Sequence, residues 1–284
     1  MIKKIFALFF LIAFGFSGMS QLSKIHYIPP ITSGPSNTNA NPLDQYFYIS
    51  TPNPRDVNVT INRMGDGSAS TSKIISKDLP WVYTIQGSGY SSLVQDPSTT
   101  SQVTNNRGFI IESDSPIYVS VRLNAGGFQQ AGVLVSKGEN ALGTTFRVGT
   151  YTSENTNNPP AGNRQNYLSF FSFMATEDNT VVNLTNERVS NDSSKYSGLD
   201  IQNFSGQFPI NNIELNRGET YTVAIKMDEN IGKEDALIGT QINSDKPIVV
   251  NSGSANGSFA NGGLRDYGID QIVGLKKVGK EYIF

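Results

Sequence analysis

The sequence contains no cysteine and a single histidine, His26. The first absence excludes disulfides and every Cys-built zinc or iron–sulfur site. The second means that any metal site would rest on carboxylates, and it leaves one candidate imidazole base for the whole chain. His26 stands between Ile25 and Tyr27, where an ordinary strand residue with a satisfied ring nitrogen explains it. No Gly-x-Ser-x-Gly elbow occurs, and Gln86-Gly87-Ser88-Gly89-Tyr90 reads as a turn. Charge is scarce too, at 16% of residues, and no run of Lys or Arg could serve as a phosphate-binding face. A nucleic-acid partner is therefore excluded.

Long apolar runs are missing with one exception. Met1-Ile2-Lys3-Lys4 is a short basic start, Ile5 to Phe16 is apolar, and Gly18 and Ser20 are small residues before Gln21. This is the pattern of a secretory signal peptide over residues 1–20. The run is too short for the ~20 residues that span a bilayer, so the mature chain is expected to carry no transmembrane helix and to be secreted or held at the cell surface. A chain of this length buries enough apolar surface to fold without disulfide staples.

What is abundant is strand and turn chemistry. Gly, Asn, Ser and Thr are frequent, and after Gln21 no amphipathic stretch of ten residues stands out. Gln45–Ser50 is rich in aromatic and β-branched residues, and Val57–Asn62 alternates apolar and polar. Trp81–Ile85, Phe109–Glu112 and Ile117–Leu123 read as further strands, with turns at Gly65-Asp66-Gly67, Gly87-Ser88-Gly89 and Asp114-Ser115-Pro116.

The second half repeats this order. Leu168–Met174 matches Gln45–Ser50, Thr180–Leu184 matches Val57–Asn62, and Thr220–Ile225 matches Trp81–Ile85. Ser113-Asp114-Ser115-Pro116-Ile117-Tyr118-Val119 returns as Ser244-Asp245-Lys246-Pro247-Ile248-Val249-Val250. In each copy the Asp suits a turn, the Pro opens a strand, and Ile-x-Val places two apolar side chains on one face. The expected fold is all-β: two tandem β-sandwich-like modules from an internal repeat. The expected division is 21–148, a linker or long loop at 149–165, and 166–284. Ser190–Asp200 reads as an exposed loop without core residues. Glu281–Phe284 reads as mid-strand, as in a truncated piece of a longer polypeptide.

The acidic clusters Glu177-Asp178, Asp228-Glu229, Glu234-Asp235 and Asp266…Asp270 read as solvated turns, with a weak surface calcium site as the alternative. No other cofactor is expected. Arg265-Asp266-Tyr267-Gly268-Ile269-Asp270-Gln271 packs a fork donor, two acceptors and an amphipathic ring into one short stretch, after the glycine-rich segment Asn251–Gly263. Two readings stay open. Arg265, Asp266, Tyr267 and Asp270 recognise a polar ligand, or a buried ion pair among them anchors the glycine-rich loop. Trp81, Tyr83 or Tyr267 would be the platform of a carbohydrate-binding module, and Asp266 with Asp270 the pair of a polysaccharide hydrolase.

Ser23–Pro30, Asp44–Pro52, Gly143-Thr144-Thr145-Phe146-Arg147, Ser244–Val250 and above all Gly253–Gln271 resemble the N-terminal domain family of the IgGFc-binding protein. The version is similar to that at the front of very long exported Bacteroidota proteins, which end in gliding-motility or type IX secretion sorting domains. The resemblance implies a non-catalytic adhesion or interaction module at the N-terminus of a larger protein, with a glycan, mucin or extracellular-matrix protein as partner. It supplies no catalytic residues.

Overall fold

A computed structural model describes residues 21–34, 41–65, 70–125, 130–150, 168–226, 232–257 and 266–278. The signal peptide, most of the expected linker, Arg265 and the terminal Glu281–Phe284 lie outside the described residues. The first half carries β1 (Ser23–Ile28), β2 (Ile31–Thr32), β3 (Pro42–Ser50), β4 (Val57–Arg63), β5 (Ser70–Ile75), β6 (Trp81–Gln86), β7 (Val94–Gln95), β8 (Phe109–Ala125) and β9 (Gln130–Val135). The second carries β10 (Gly143–Arg147), β11 (Leu168–Ala175), β12 (Thr180–Thr185), β13 (Ile210–Leu215), β14 (Thr220–Lys226), β15 (Gln241–Gly257) and β16 (Asp266–Ile272). The chain is all-β in two tandem sandwich-like modules.

Each half is one curled sheet of seven strands, ordered β5-β4-β8-β3-β6 with β1 and β9 also on β8, and β13-β12-β15-β11-β14 with β10 and β16 also on β15. The two lists correspond strand for strand, as the internal repeat requires. β2 and β7 form a small parallel pair outside this scheme. The 17-residue strands β8 and β15 make the sandwiches. The first part of β8 pairs with β1 and β4, and its second part with β3 and β9. β15 does the same with β10 and β12, then β11 and β16. One strand thus runs through both layers, bending between them.

The bend is the Ser-Asp-x-Pro motif, and it sits inside a continuous strand instead of the expected turn between two strands. Ser113 Oγ donates to Ser115 O at 2.8 Å, and Ser244 Oγ to Lys246 O at 2.7 Å. Thr51 Oγ1 donates to Pro116 O at 2.9 Å, and Thr176 Oγ1 to Pro247 O at 2.6 Å. Asp114 accepts from Asn58 N at 3.2 Å and Asp245 from Val181 N at 2.8 Å, so each Asp caps the neighbouring strand, not its own backbone. Pro supplies no N–H at the point where the ladder changes partners. Asp114→Ala and Asp245→Ala should each cost about 1 kcal/mol in urea unfolding. Their sum should match the double variant within about 0.5 kcal/mol, because the corners share no partner.

β10 lies before residue 148, within the span expected for the first module, yet its register with β15 places it in the second sheet. Ser190–Asp200 also differs from expectation. It contributes Tyr196 and Leu199 to the second core. Tyr196 is buried there because its hydroxyl keeps polar partners, accepting from Arg188 at 2.9 Å and donating to Asp235 at 3.1 Å.

The modules pack as one unit. In β3 burial alternates, whereas every residue of β11 is buried. Phe171, Phe173 and Ala175 fill the second core, while Leu168 and Phe170 join the first module's cluster and Met174 packs with Tyr27 and Ile110. Backbone bonds cross as well: Ser101 N to Thr222 O at 2.8 Å, and Thr104 and Thr220 in mutual exchange at 2.9 Å.

Candidate functional site

The segment singled out in the sequence becomes β16, an edge strand of the second sheet that lies against β9 of the first. Two glycines permit this approach. A Cβ on Gly253 would overlap Gly268 O, and one on Gly132 would press Tyr267 O at 3.2 Å. Period-two alternation then divides β16 into two sets of side chains.

Tyr267 and Gln271 turn into the seam between the modules. Tyr267 is 3% exposed, and its hydroxyl donates to Thr32 O. Burial pushes this phenol far up from its ordinary pKa. Gln271 is fully buried: its amide nitrogen donates to Tyr27 O at 2.9 Å and to Asn251 Oδ1 at 3.3 Å, while Oε1 accepts from Lys137 N at 2.7 Å. Ser136 Oγ is 3.2 Å from the same Oε1 and 2.9 Å from His26 Nδ1. His26 Nε2 lies 3.1 Å from Ile117 O, so it carries the proton and donates, leaving Nδ1 to accept from Ser136. Both ring nitrogens of His26 are thereby committed. Desolvation lowers its pKa from 6.5 to about 4, so it is neutral at physiological pH and sealed from any substrate.

Asp266 and Asp270 are the exposed set. Asp266 Oδ1 accepts from Ala131 N at 2.7 Å and from Tyr267 N at 2.9 Å. Asp270 pairs with Lys137 Nζ at 2.9 Å and remains 62% exposed. Four residues along a strand put their Cα atoms about 13 Å apart, against the ~5–9.5 Å that separates a glycosidase carboxyl pair. With Ala131, Gly149, Ser252 and Gly253, the Asp266–Asp270 stretch lines an open cleft of about 520 Å³. Asp266 and Asp270 stand on its rim, while Tyr267 borders it with its ring turned into the packing. The ion pair of this segment is thus Asp270–Lys137 at the surface, and the buried anchor is the Tyr267–Gln271 network.

Trp81 is not brought to this cleft. It lies on β6, 7% exposed and edge-on to Tyr83 with ring centroids 5.5 Å apart. Among the described residues no three His, Asp or Glu side chains converge in a way that would hold a metal ion. No described helix is long and apolar enough to cross a membrane.

Sequence reasoning missed Lys137, Ser136 and Asn251, each of whose roles depends on a contact more than a hundred residues away in the chain. The family model of the IgGFc binding protein matches residues 131–284, more than half of the chain. The chain belongs to the IgGFc binding protein family. The family match begins in β9, takes in the cleft and spans the whole second sheet. No curated protein and no solved structure matches.

Proposed function

We propose that the chain is a non-catalytic, extracellular interaction module at the N-terminus of a larger secreted or surface protein, and that it holds a protein or glycan partner in the cleft along β16. The supporting observation is that cleft, open to solvent and rimmed by two carboxylates, at the seam where family-matched residues of both modules meet. Asp266 and Asp270 are its acceptors, and Arg265 adjoins them in sequence as a donor. The division into modules falls between β9 and β10 in this reading. Bacteroidota origin and export by type IX secretion extend the proposal from the resemblance of Gly253–Gln271.

The test is a binding screen of residues 21–284 against glycans, mucin, matrix proteins and immunoglobulin Fc, with and without calcium. Fc is included because the family bears its name. Asp270→Ala removes an exposed ion pair of at most about 1 kcal/mol, so it leaves the fold intact. It should weaken a saturable hit about tenfold. A hit indifferent to both Asp266→Ala and Asp270→Ala would move the site elsewhere.

A further inference from the structure

The repeat makes the two modules comparable face by face, and one pair of equivalent faces has unequal fates. In the second module the outer face of β14-β11-β15-β16 is covered. Its central row reads Thr222, Ser172, Asn251, Gln271 across the four strands, and all four are buried. What covers this row is an extended segment of the first module that carries two prolines. Ser172 Oγ donates to Pro30 O, Asn251 Nδ2 to Pro29 O at 2.8 Å, and Gln271 Nε2 to Tyr27 O at 2.9 Å. The face is a row of donors beneath a run of backbone carbonyls.

The equivalent row of the first module reads Val82, Tyr48, Ser120, Val135, with Thr84, Tyr46, Arg122, Val133 beside it. Nothing in the chain's described residues covers it. Val82 is 51% and Val133 53% exposed, and Tyr48 and Tyr118 are also at the surface. Between them runs a groove of about 430 Å³ walled by Tyr48, Val82, Tyr118 and Arg122, with the buried Trp81 at its floor. Arg122 Cζ stands 4.4 Å over the Tyr48 ring, and Tyr46 meets Tyr48 edge-on at 6.2 Å.

We propose that this groove binds an extended, proline-rich polypeptide segment of a partner protein. The first argument is internal precedent: the same face of the second module already holds Tyr27–Pro30. The second is chemical. A proline-rich segment has carbonyl acceptors and few N–H donors. The polar side chains lining the groove are the Arg122 guanidinium, the Tyr48 and Tyr118 phenols, and Ser50 and Ser120. All of these can donate, Arg122 can only donate, and the lining contains no carboxylate or amide side chain. A sugar presents hydroxyls that donate as well as accept, and the groove offers it no carboxylate or amide oxygen. Aromatic walls suit pyrrolidine rings, which pack on them at low entropic cost.

Trp81 is the only tryptophan in the chain and is buried at the floor of the groove, so its emission reports on occupancy. Decaproline titrated into residues 21–284 should give a saturable change in Trp81 emission and a matching heat in calorimetry. Tyr48→Ala and Arg122→Ala should each weaken binding about tenfold with an unchanged circular dichroism spectrum, as exposed side chains allow. Asp270→Ala, in the cleft along β16, should leave decaproline affinity unaltered, which separates this proposal from the previous one. The proposal is overturned if neither emission nor heat saturates at millimolar decaproline. It is overturned equally if a Gly-Ser decapeptide binds as well, if Tyr48→Ala binds like the parent, or if cellohexaose but not decaproline saturates the groove.

Discussion

Gln271→Ala should lower the stability of the chain by roughly 3–5 kcal/mol, the largest loss of any single change considered. The side chain is fully buried and serves three partners from both modules. Truncation strands Tyr27 O in a buried site and takes the acceptor from Lys137 N in a part-buried one, and an unsatisfied buried group costs about 1–3 kcal/mol. The cavity left by the lost atoms adds to this. Its neighbour Asp270, exposed and ion-paired, is the internal control: Asp270→Ala should cost no more than about 1 kcal/mol. Urea unfolding of both variants measures the difference. A Gln271→Ala loss below 1 kcal/mol would show that the seam does not depend on this network.

His26 should make the fold acid-sensitive through a different window from the carboxylates. Its folded pKa is lowered to about 4 by desolvation, against 6.5 for a free imidazole side chain. As pH falls from about 6.5, the unfolded chain takes up the proton while the folded chain does not. Stability therefore declines between about pH 6.5 and 4 and levels off below, with a total loss of about 3 kcal/mol. Above pH 7 both states are neutral at this residue and it adds no pH dependence. His26→Gln removes the titration. The variant is less stable at pH 7, because Ile117 O loses the imidazole donor and the fitted ring is lost from a buried site, yet its stability should change far less between pH 7 and 4. Parallel slopes for parent and variant would contradict the assignment of a buried neutral imidazole.

Much of the architecture was legible in the sequence because period and repeat are local signals. Val57–Asn62 shows its alternation openly, and the shared Ser-Asp-x-Pro-Ile-x-Val announces equivalent strands in both halves. What the motif does was not legible. Ser, Asp and Pro are turn formers, and only the pairing of Asp114 with Asn58 across strands shows a bend inside β8. Leu168–Met174 carries apolar residues on both faces, broken by Ser169 and Ser172, which is the sign of burial on both faces, although not of what would cover the second face. The Arg265–Gln271 segment stood out by composition, but it read as part of a glycine-rich loop, and that Tyr267 and Gln271 face one way and Asp266 and Asp270 the other follows only from its being a strand. Which face met protein depended on β9, some 135 residues earlier by the Ala131–Asp266 bond. Tyr48, Tyr118 and Arg122 were readable at period two as one outward face. They drew no attention because each alone is an ordinary strand residue.

The two repeats form one unit, with the second module's sheet face spent on the first. Differential scanning calorimetry of residues 21–284 tests it most directly. Backbone exchange between Thr104 and Thr220 and the shared apolar cluster predict a single transition whose calorimetric and van't Hoff enthalpies agree. Two resolved transitions, or a calorimetric enthalpy well above the van't Hoff value, would mean that the modules unfold separately and would contradict the claim.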